Sequence, residues 1–431
     1  MHIFFSGIGG TAIGPLALIA KQAGYDVSGS DKQDSQYINY LREHGVTNIT
    51  LGQSEADIAA VHEQQAIDWV VYSSAVAIEN PDHPELVFAR AHDIRCTKRD
   101  ELLNEIIKAK HLKLVAIAGT HGKTTTTAMM IWLFKELGIP VSYSVGAKTS
   151  FAEMGHYEPD SQYFVYECDE YDRNFLSFHP FLSLITGIDW DHADIYPTRE
   201  IYEQAFRDYI DQSHRTIMWQ ADADRLAIKE EHGISIIHDA DEATTSLKLP
   251  GAVNRQDAWQ VIAALQHIQE TNFALAVEIM NRFPGVSRRF EQIIPGLYSD
   301  YAHTPEKIRG ALQLAHEIAD GKVVVIYEGL HNTRQHFIRD DLKHLFDDVD
   351  KLYVVPSYLA REDKNLKLLS PDDLIGLTAH PEKAETRQLD DKLSETITNH
   401  LNNGDVVLCL TAGGGNSLDE WLRQTFRTDR G

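Results

Sequence analysis

Short apolar runs alternate with helix-spaced stretches along the chain, and the runs have the length of buried strands. In the first hundred residues Ile3–Phe5, Tyr25–Ser28 and Trp69–Tyr72 are strand candidates, and Pro15–Ala23 carries helical spacing. A second set opens at Leu114–Ala118 and continues at Tyr163–Tyr166 and Phe181–Thr186. The helix expected after Leu114–Ala118 puts Met129, Met130, Leu133 and Phe134 on one core face. A third set comes late, at Val323–Tyr327, Lys351–Val355 and Val406–Leu410. Strand, helix and strand in this rhythm predict parallel sheets with helices on their faces, an α/β fold. The 431 residues, at roughly 150 per domain, agree with three domains. Boundaries are expected near residue 101, after Cys96-Thr-Lys-Arg-Asp100, and near Phe283-Pro284-Gly285, where Pro and Gly break a helix. The expected domains are therefore 1–101, 102–283 and 284–431.

Two glycine-rich turns stand where a predicted strand gives way to a helix. The second, Gly119-Thr120-His121-Gly122-Lys123-Thr124-Thr125, has the layout of a phosphate loop. Glycines let backbone N–H groups converge on phosphate oxygens, and the helix N-terminus adds positive potential. Lys123 suits the β- and γ-phosphates, and the Thr124 hydroxyl suits Mg²⁺. The spacing departs from GxxxxGK[ST], because the first glycine lies four residues before Lys123 instead of six. The competing reading is a bare glycine turn with a hydroxyl-rich helix start; the strand–turn–helix context favours the phosphate loop. Glu167, Asp169, Glu170 and Asp172 follow one predicted strand, and Asp191 and His192 follow another. Residues just past the carboxyl ends of parallel strands line the ligand crevice, and oxygen ligands suit Mg²⁺. For Glu170 and Asp172 a solvated loop is an equally good expectation, and a lone His192 would be an ordinary loop histidine.

The first turn, Gly7-Ile-Gly9-Gly10-Thr-Ala-Ile-Gly14, misses GxGxxG by Ala12. Asp31 follows about 20 residues on, where dinucleotide folds place a ribose-binding acid. Taken alone, this turn suggests a nicotinamide dehydrogenase. A second phosphate loop in the next domain fits two phosphorylated substrates better than one dinucleotide.

Charge narrows the choice of partner. Lys and Arg number 40 against 64 Asp and Glu, a formal net charge of −24. A field of that sign repels phosphate backbones and anionic lipid, so neither nucleic acid nor a membrane surface is expected as partner. Cys96, Cys168 and Cys409 are scattered and lack CxxC spacing, which predicts neither a disulfide framework nor a zinc site. No apolar run reaches 18 residues, and MHIFFSGIGG lacks the basic start of a signal peptide, so the expected compartment is the cytoplasm.

The motifs together resemble the Mur ligase family, ATP-dependent amide-forming enzymes of peptidoglycan precursor synthesis. The resemblance rests on Gly7–Gly10 with Gly29-Ser-Asp31, Ser73-Ser74-Ala75 with Asn80-Pro81, Gly119–Thr125, Glu167-Cys-Asp-Glu170, Asp191-His-Ala-Asp194, Gly285–Phe290 and Asp300-Tyr-Ala-His-Thr-Pro305. It spans essentially the whole chain. It implies an N-terminal Rossmann-like domain for a UDP-sugar, a central phosphate-loop domain for ATP and a C-terminal Rossmann-like domain that closes over both. Carried over to this sequence, Gly7, Gly9, Gly10, Asp31, Ser73 and Ser74 would meet the UDP-sugar. Lys123 and Thr124 would hold the triphosphate, and Thr124, Glu167 and His192 the Mg²⁺. Asn254 matches an adenine-region asparagine, while Asp257 stands where the family has a second one. Arg289 and Asp300 match groups that reach the nucleotide, and Tyr301 and His303 lie near the incoming amine. Phe206-Arg207 occupies the region where many members carry a carbamylated lysine; the alanine-adding branch also lacks that lysine.

The implied reaction activates a carboxylate of UDP-N-acetylmuramate as an acyl phosphate, which an amine then captures. Lys123, Arg289 and His303 are the expected catalytic groups. L-alanine is the expected amine, with Arg334 placed for its carboxylate. The family's tripeptide-adding branch (L-Ala-γ-D-Glu-meso-diaminopimelate) is the alternative, because Ala302-His-Thr-Pro305, Leu330-His-Asn-Thr-Arg334 and Asp169-Glu-Tyr-Asp172 depart from the alanine-adding pattern or lean towards the tripeptide one. A nucleotide-binding module without catalysis is the reading from another class; intact Lys123, Thr124, Glu167 and His192 speak against it.

Overall fold

The computed structural model describes residues 1–73, 76–77, 80–192, 195–238, 245–359, 362–363, 365–411 and 416–426. Three sheets carry the fold. The first is wholly parallel: β1 (His2–Ser6), β2 (Asp26–Asp31), β3 (Asn48–Leu51), β4 (Trp69–Tyr72) and β5 (Arg95–Lys98), in the order β3-β2-β1-β4-β5. β1 lies at the centre and is buried along its whole length, which is why its sequence is an uninterrupted apolar run closed by a serine. The chain leaves β1 to one side for β2 and lies on its other side at β4. That switch opens a crevice beyond the carboxyl end of β1, where the Gly7 turn stands.

The second sheet holds β6 (Lys113–Ala118), β7 (Ser142–Ser144), β8 (Gly155–His156), β9 (Tyr163–Glu167), β10 (Leu182–Ile185), β11 (Thr216–Trp219) and β12 (Ile234–Ile237), in the order β12-β11-β10-β6-β9-β7-β8. Only β8 runs antiparallel. β6 is again the switch strand, between β10 and β9, and the helix Lys123–Glu136 follows it. Met129, Met130, Leu133 and Phe134 of that helix are all buried, as the spacing predicts.

These two sheets belong to one compact unit, Met1–Ala243 with Asp257–Phe283. The helix Ile13–Gln22 of the first sheet joins them. Its Pro15 lies so close to Gly155 that a Cβ there would come within 2.7 Å of the Pro15 carbonyl oxygen. Gln22 Oε1 accepts the Tyr157 N–H at 2.7 Å. The helix Arg99–Ala109 runs through residue 101, so the chain passes from one sheet to the next along a helix.

The second unit comprises Thr244–Gln256 with Pro284–Gly431. Its sheet holds β13 (Glu291–Ile294), β14 (Leu297–Asp300), β15 (Val323–Leu330), β16 (Lys351–Tyr358), β17 (Ala384–Thr386) and β18 (Val406–Leu410), in the order β13-β14-β18-β15-β16-β17. β13 and β14 form an antiparallel hairpin, and the other pairings are parallel. All eight residues of β15 are buried. Among the described residues, no helix is long and apolar enough to cross a membrane.

Candidate active site

The phosphate loop is fixed by close packing against the end of β10. Gly119 (φ +149°) and Gly122 (φ +76°) both adopt backbone conformations that side chains disfavour. A Cβ on Gly119 would lie 2.5 Å from Thr186 Oγ1, so only glycine fits. The Thr120 N–H donates to the Gly187 carbonyl at 2.7 Å, and its hydroxyl meets the Asp189 carbonyl and the Tyr202 hydroxyl, each at 2.7 Å. His121 Nε2 lies 3.1 Å from Asp189 Oδ2, and Arg225 donates to Asp189 Oδ1 at 2.6 Å. The His121 hydrogen bond, joined by Arg225 and set against partial burial, lowers the Asp189 carboxyl to about 2. Thr125 follows Thr124 in the first turn of the helix Lys123–Glu136.

Lys123 Nζ folds over the loop, donating to the Gly119 carbonyl at 2.5 Å and to Glu170 Oε2 at 2.6 Å. Glu170 is 1% exposed, and its other oxygen lies 3.5 Å from His192 Nε2. The solvated-loop expectation for Glu170 is therefore overturned: it is the buried counter-charge of the loop lysine. Burial alone would raise the Glu170 carboxyl, but Lys123 and His192 override it and hold it at about 2. Burial likewise works against the Lys123 charge, yet Glu170 and Asp169 raise its pKa above the ordinary lysine value. His192 is drawn into the same cluster, with a left-handed backbone (φ 56°) and its ring edge-on to Tyr171. Asp172 pairs with Lys98 instead.

Glu167, at the end of β9, accepts the Thr124 hydroxyl at 2.8 Å on one oxygen and the Gly146 N–H at 2.8 Å on the other. A hydroxyl and a carboxylate side by side at a helix N-terminus form the oxygen set that Mg²⁺ takes when phosphates and water complete its shell. Among the described residues, no three His, Cys, Asp or Glu side chains gather to hold a metal by themselves. Asp257 lies behind the loop: a Cβ on Gly122 would come within 2.9 Å of its Oδ1. Burial pushes its pKa well above the ordinary aspartate value, against a side-chain interaction with Thr126, and its Oδ2 has no hydrogen-bond partner.

At the first turn, the Gly7 and Ile8 N–H groups both donate to the Ser30 carbonyl at 2.9 Å, and Gly10 N–H donates to the Gly7 carbonyl at 3.0 Å. Asp31 Oδ2 accepts the Gly9 N–H at 2.8 Å, so the acid expected at a ribose braces the turn itself. Ser73 follows β4 at the same edge of the sheet, whereas Ser74 lies outside the described residues. A Cβ on Gly10 would stand 3.2 Å from the Gly7 carbonyl oxygen, and the residue is exposed. Gly10→Val should therefore distort the turn without unfolding the sheet. The expected result is weaker UDP-sugar binding with ATP binding spared, read by titrating each nucleotide separately. Unchanged UDP-sugar affinity would remove the turn from the site.

In the second unit Asp300 closes β14, where its Oδ2 accepts the Phe290 N–H at 2.7 Å. Burial raises the Asp300 carboxyl to about 6, and Arg289 opposes that rise. Arg289 and Arg288 each place their guanidinium carbon 5.4 Å from the Tyr301 ring centroid. His303 stacks edge-on to Tyr301, and its Nδ1 lies 3.0 Å from the Tyr301 carbonyl. A carbonyl only accepts, so Nδ1 is the donor in this contact, which in the neutral ring leaves the lone pair on Nε2. Arg334 is carried at the same sheet edge by the short helix Asn332–Phe337 after β15. Asn254 donates its amide to the Pro250 carbonyl at 2.8 Å. The structure thus gathers Arg289, Asp300, Tyr301 and His303 into one cluster. Glu170, for which the sequence left a solvated loop equally open, and Asp257, at a family asparagine position, both face the loop.

A phosphate-loop layout and a second glycine-rich turn, each beyond the switch strand of a parallel sheet, have the architecture of a nucleotide-using α/β enzyme. Family models described as Mur ligase family catalytic domain, Mur ligase middle domain and Mur ligase glutamate ligase domain match residues 2–111, 117–283 and 288–413. The chain belongs to the Mur ligase family, ATP-dependent enzymes that form amide bonds. It is 28% identical to a UDP-N-acetylmuramate–L-alanine ligase of Clostridium perfringens, over 95% of each chain. It is 29% identical to the ligase of that name from Rickettsia massiliae, over 97% of this chain and 95% of the relative. The fold matches a solved UDP-N-acetylmuramate–alanine ligase of Thermotoga maritima, with TM-score 0.73, 24% identity and coverage of 99% and 98% of the two chains. It also matches a murein peptide ligase of Psychrobacter arcticus, with TM-score 0.65, 24% identity and coverage of 96% of each.

Proposed function

We propose that the chain joins L-alanine to the lactyl carboxylate of UDP-N-acetylmuramate, with ATP and Mg²⁺, in peptidoglycan precursor synthesis in the cytoplasm, where its nucleotide substrates are found. The observation that carries this reading is the end-to-end match to L-alanine ligases of Clostridium and Rickettsia. We assign residues 1–101 to the UDP-sugar, 102–283 to ATP and 284–431 to ligation. Gly7, Gly9, Gly10, Asp31 and Ser73 serve the UDP-sugar. Lys123 and the Gly119–Thr125 backbone serve the triphosphate, and Asn254, Arg289 and Asp300 the rest of the nucleotide.

The chemistry follows from the inertness of a carboxylate. One lactyl oxygen attacks the γ-phosphorus, the bond to ADP breaks, and the acyl phosphate gains a good leaving group. This step needs positioning and positive charge rather than covalent help, which Lys123 and Arg289 supply. Mg²⁺, when bound, neutralises phosphate charge; Thr124, Glu167 and His192 are the residues assigned to hold it. The amine attacks while neutral, and His303 Nε2 accepts its proton. The carbon–oxygen bond to phosphate then breaks, leaving the amide. Arg334 pairs with the L-alanine carboxylate in the manner that suits a guanidinium fork. Glu167→Gln and His192→Ala should raise the Mg²⁺ concentration needed for half-maximal rate more than they weaken UDP-sugar binding. An unchanged Mg²⁺ titration would place both outside the metal site.

The tripeptide reading rests on Ala302–Pro305, Leu330–Arg334 and Asp169–Asp172, and in part on Glu328 and Asn332. The last two have structural work in this fold. Glu328 Oε1 accepts the Leu418 N–H at 3.0 Å. Asn332, 2% exposed, bridges the Lys367 carbonyl at 3.1 Å and the Leu369 N–H at 2.9 Å. Supplied together at equal concentration, L-alanine and the tripeptide should yield mostly the L-alanine adduct by mass. A tripeptide adduct in excess would overturn the amine while leaving the ATP chemistry in place.

A further inference from the structure

Directly beneath the Gly7 turn lies a carboxyl group with no part in the mechanism above. Glu85, in the first turn of the helix Pro84–Ala91, is 0% exposed. Its Oε2 accepts the Ser6 hydroxyl at 2.5 Å, and its Oε1 accepts the Ser30 hydroxyl. Ser6 and Ser30 are register partners at the carboxyl ends of β1 and β2, and both are fully buried. Ser30 is also the residue whose carbonyl receives the Gly7 and Ile8 N–H groups. Glu85 therefore clamps the two strands from which the turn springs.

Among the described residues, the groups that meet this acid are mainly hydroxyls, an amide, a histidine and other acids. His83 Nδ1 stands 3.8 Å from Oε2, and Gln53 Nε2 reaches the same oxygen at 3.5 Å. Asp31 at the end of β2 and Asp57 on the helix Glu55–Gln64 add like charge. A nucleotide diphosphate at the turn would add more. We propose that Glu85 is a positioning residue for the UDP-sugar: it holds the turn in its receiving shape as the neutral acid, and diphosphate binding draws one proton from solvent onto its carboxyl group. The inference rests on the reading that the Gly7 turn takes the UDP-sugar.

The free protein is poised for this. Burial raises the Glu85 carboxyl to about 7, against the opposing hydrogen bonds from Ser30 and Ser6, and Asp57 and Asp31 add to the rise. An added anion raises it further. Below neutrality the group is already protonated and binding takes up no proton. Above neutrality it is ionised, so binding must protonate it, and affinity falls by up to about tenfold per pH unit.

The test is calorimetric titration of the full chain with UDP-N-acetylmuramate at about pH 8, in buffers of different ionisation enthalpy, which counts protons. The expected result is uptake approaching one proton in the unmodified chain and close to none in Glu85→Gln, whose affinity stays flat with pH. Ser30→Ala, which removes a hydroxyl that favours the charged form, should move the fall in affinity to higher pH, and it serves if the Gln variant does not fold. ATP titrations should show no Glu85-dependent uptake. UDP-sugar binding with the same proton count in the unmodified chain and Glu85→Gln, or an unmoved profile in Ser30→Ala, overturns the inference alone. Absence of UDP-sugar binding, or binding indifferent to Gly10→Val, overturns the reading of the turn instead.

Discussion

Lys123→Ala will lower the rate of ligation by about 10²–10³-fold or more, the usual scale for losing one preorganised charge at a developing anion. The ammonium is held where the loop can present it, between the Gly119 carbonyl and Glu170. Its loss removes the point charge from the triphosphate at the moment the γ-phosphoryl group transfers. The structure adds a second consequence. Glu170 is left buried beside His192 with its main counter-charge gone, so the single variant is also destabilised. Lys123→Ala combined with Glu170→Gln removes both charges and separates the two effects: stability recovers while ligation stays low. Phosphate release with all substrates present, alongside a melting curve, reads them independently. Near-unmodified turnover in either variant would remove Gly119–Thr125 from the ATP site.

The parts of the fold legible in the sequence are those where burial is two-sided. β1, β6, β10, β15 and β18 are buried at nearly every position, so their residues are continuous apolar runs. The edge strands β3, β12 and β17 read NITL, ISII and AET and have no fully buried residue. Half-exposed edges of three or four residues offer neither a run nor enough alternation to count. β13 and β14 were findable, since Pro295-Gly296 marks their hairpin and Gly296 takes φ +83°.

The site divides in the same physical way. Gly119, Gly122, Lys123 and Thr124 fall within one short run, and the backbone geometry they need writes itself into neighbouring letters. In the run Glu167-Cys-Asp-Glu170, which acid faces the loop is set by how the chain turns after β9. Glu167 reaches Thr124, Glu170 goes inward to Lys123, and Asp169 accepts the Tyr171 N–H at 3.1 Å. Asp31 adds a role that spacing does not reveal: one of its oxygens accepts the Gly9 N–H and braces the turn. Asp257, at a position where the family has asparagine, keeps the shape of that side chain. Its burial raises the carboxyl pKa and so weakens the penalty of an acid placed next to a phosphate loop.

Glu170→Gln will destabilise the unit that carries the phosphate loop by about 2–4 kcal/mol at pH 7, because it strips the counter-charge from a buried ammonium while keeping a hydrogen bond to it. The Lys123 and Glu170 side chains are 14% and 1% exposed, so solvent does little to screen the loss. The acid-side behaviour fixes the sign. With the carboxyl lowered to about 2, the pair contributes fully above the ordinary glutamate value of 4.5 and is lost as pH falls towards 2. The Gln variant should therefore melt lower at neutral pH, and its deficit should shrink on acidification. ATP supplies the decisive control. In the unmodified chain the triphosphate must draw Lys123 away from Glu170, whereas in the variant it gives Lys123 an anion where none stood. Saturating ATP should thus raise the melting temperature of Glu170→Gln by more than that of the unmodified chain, narrowing the gap between them. A deficit that ATP leaves untouched would mean that Lys123 does not turn to the triphosphate. A variant as stable as the original at neutral pH would mean that the Lys123–Glu170 pair does not hold the loop together.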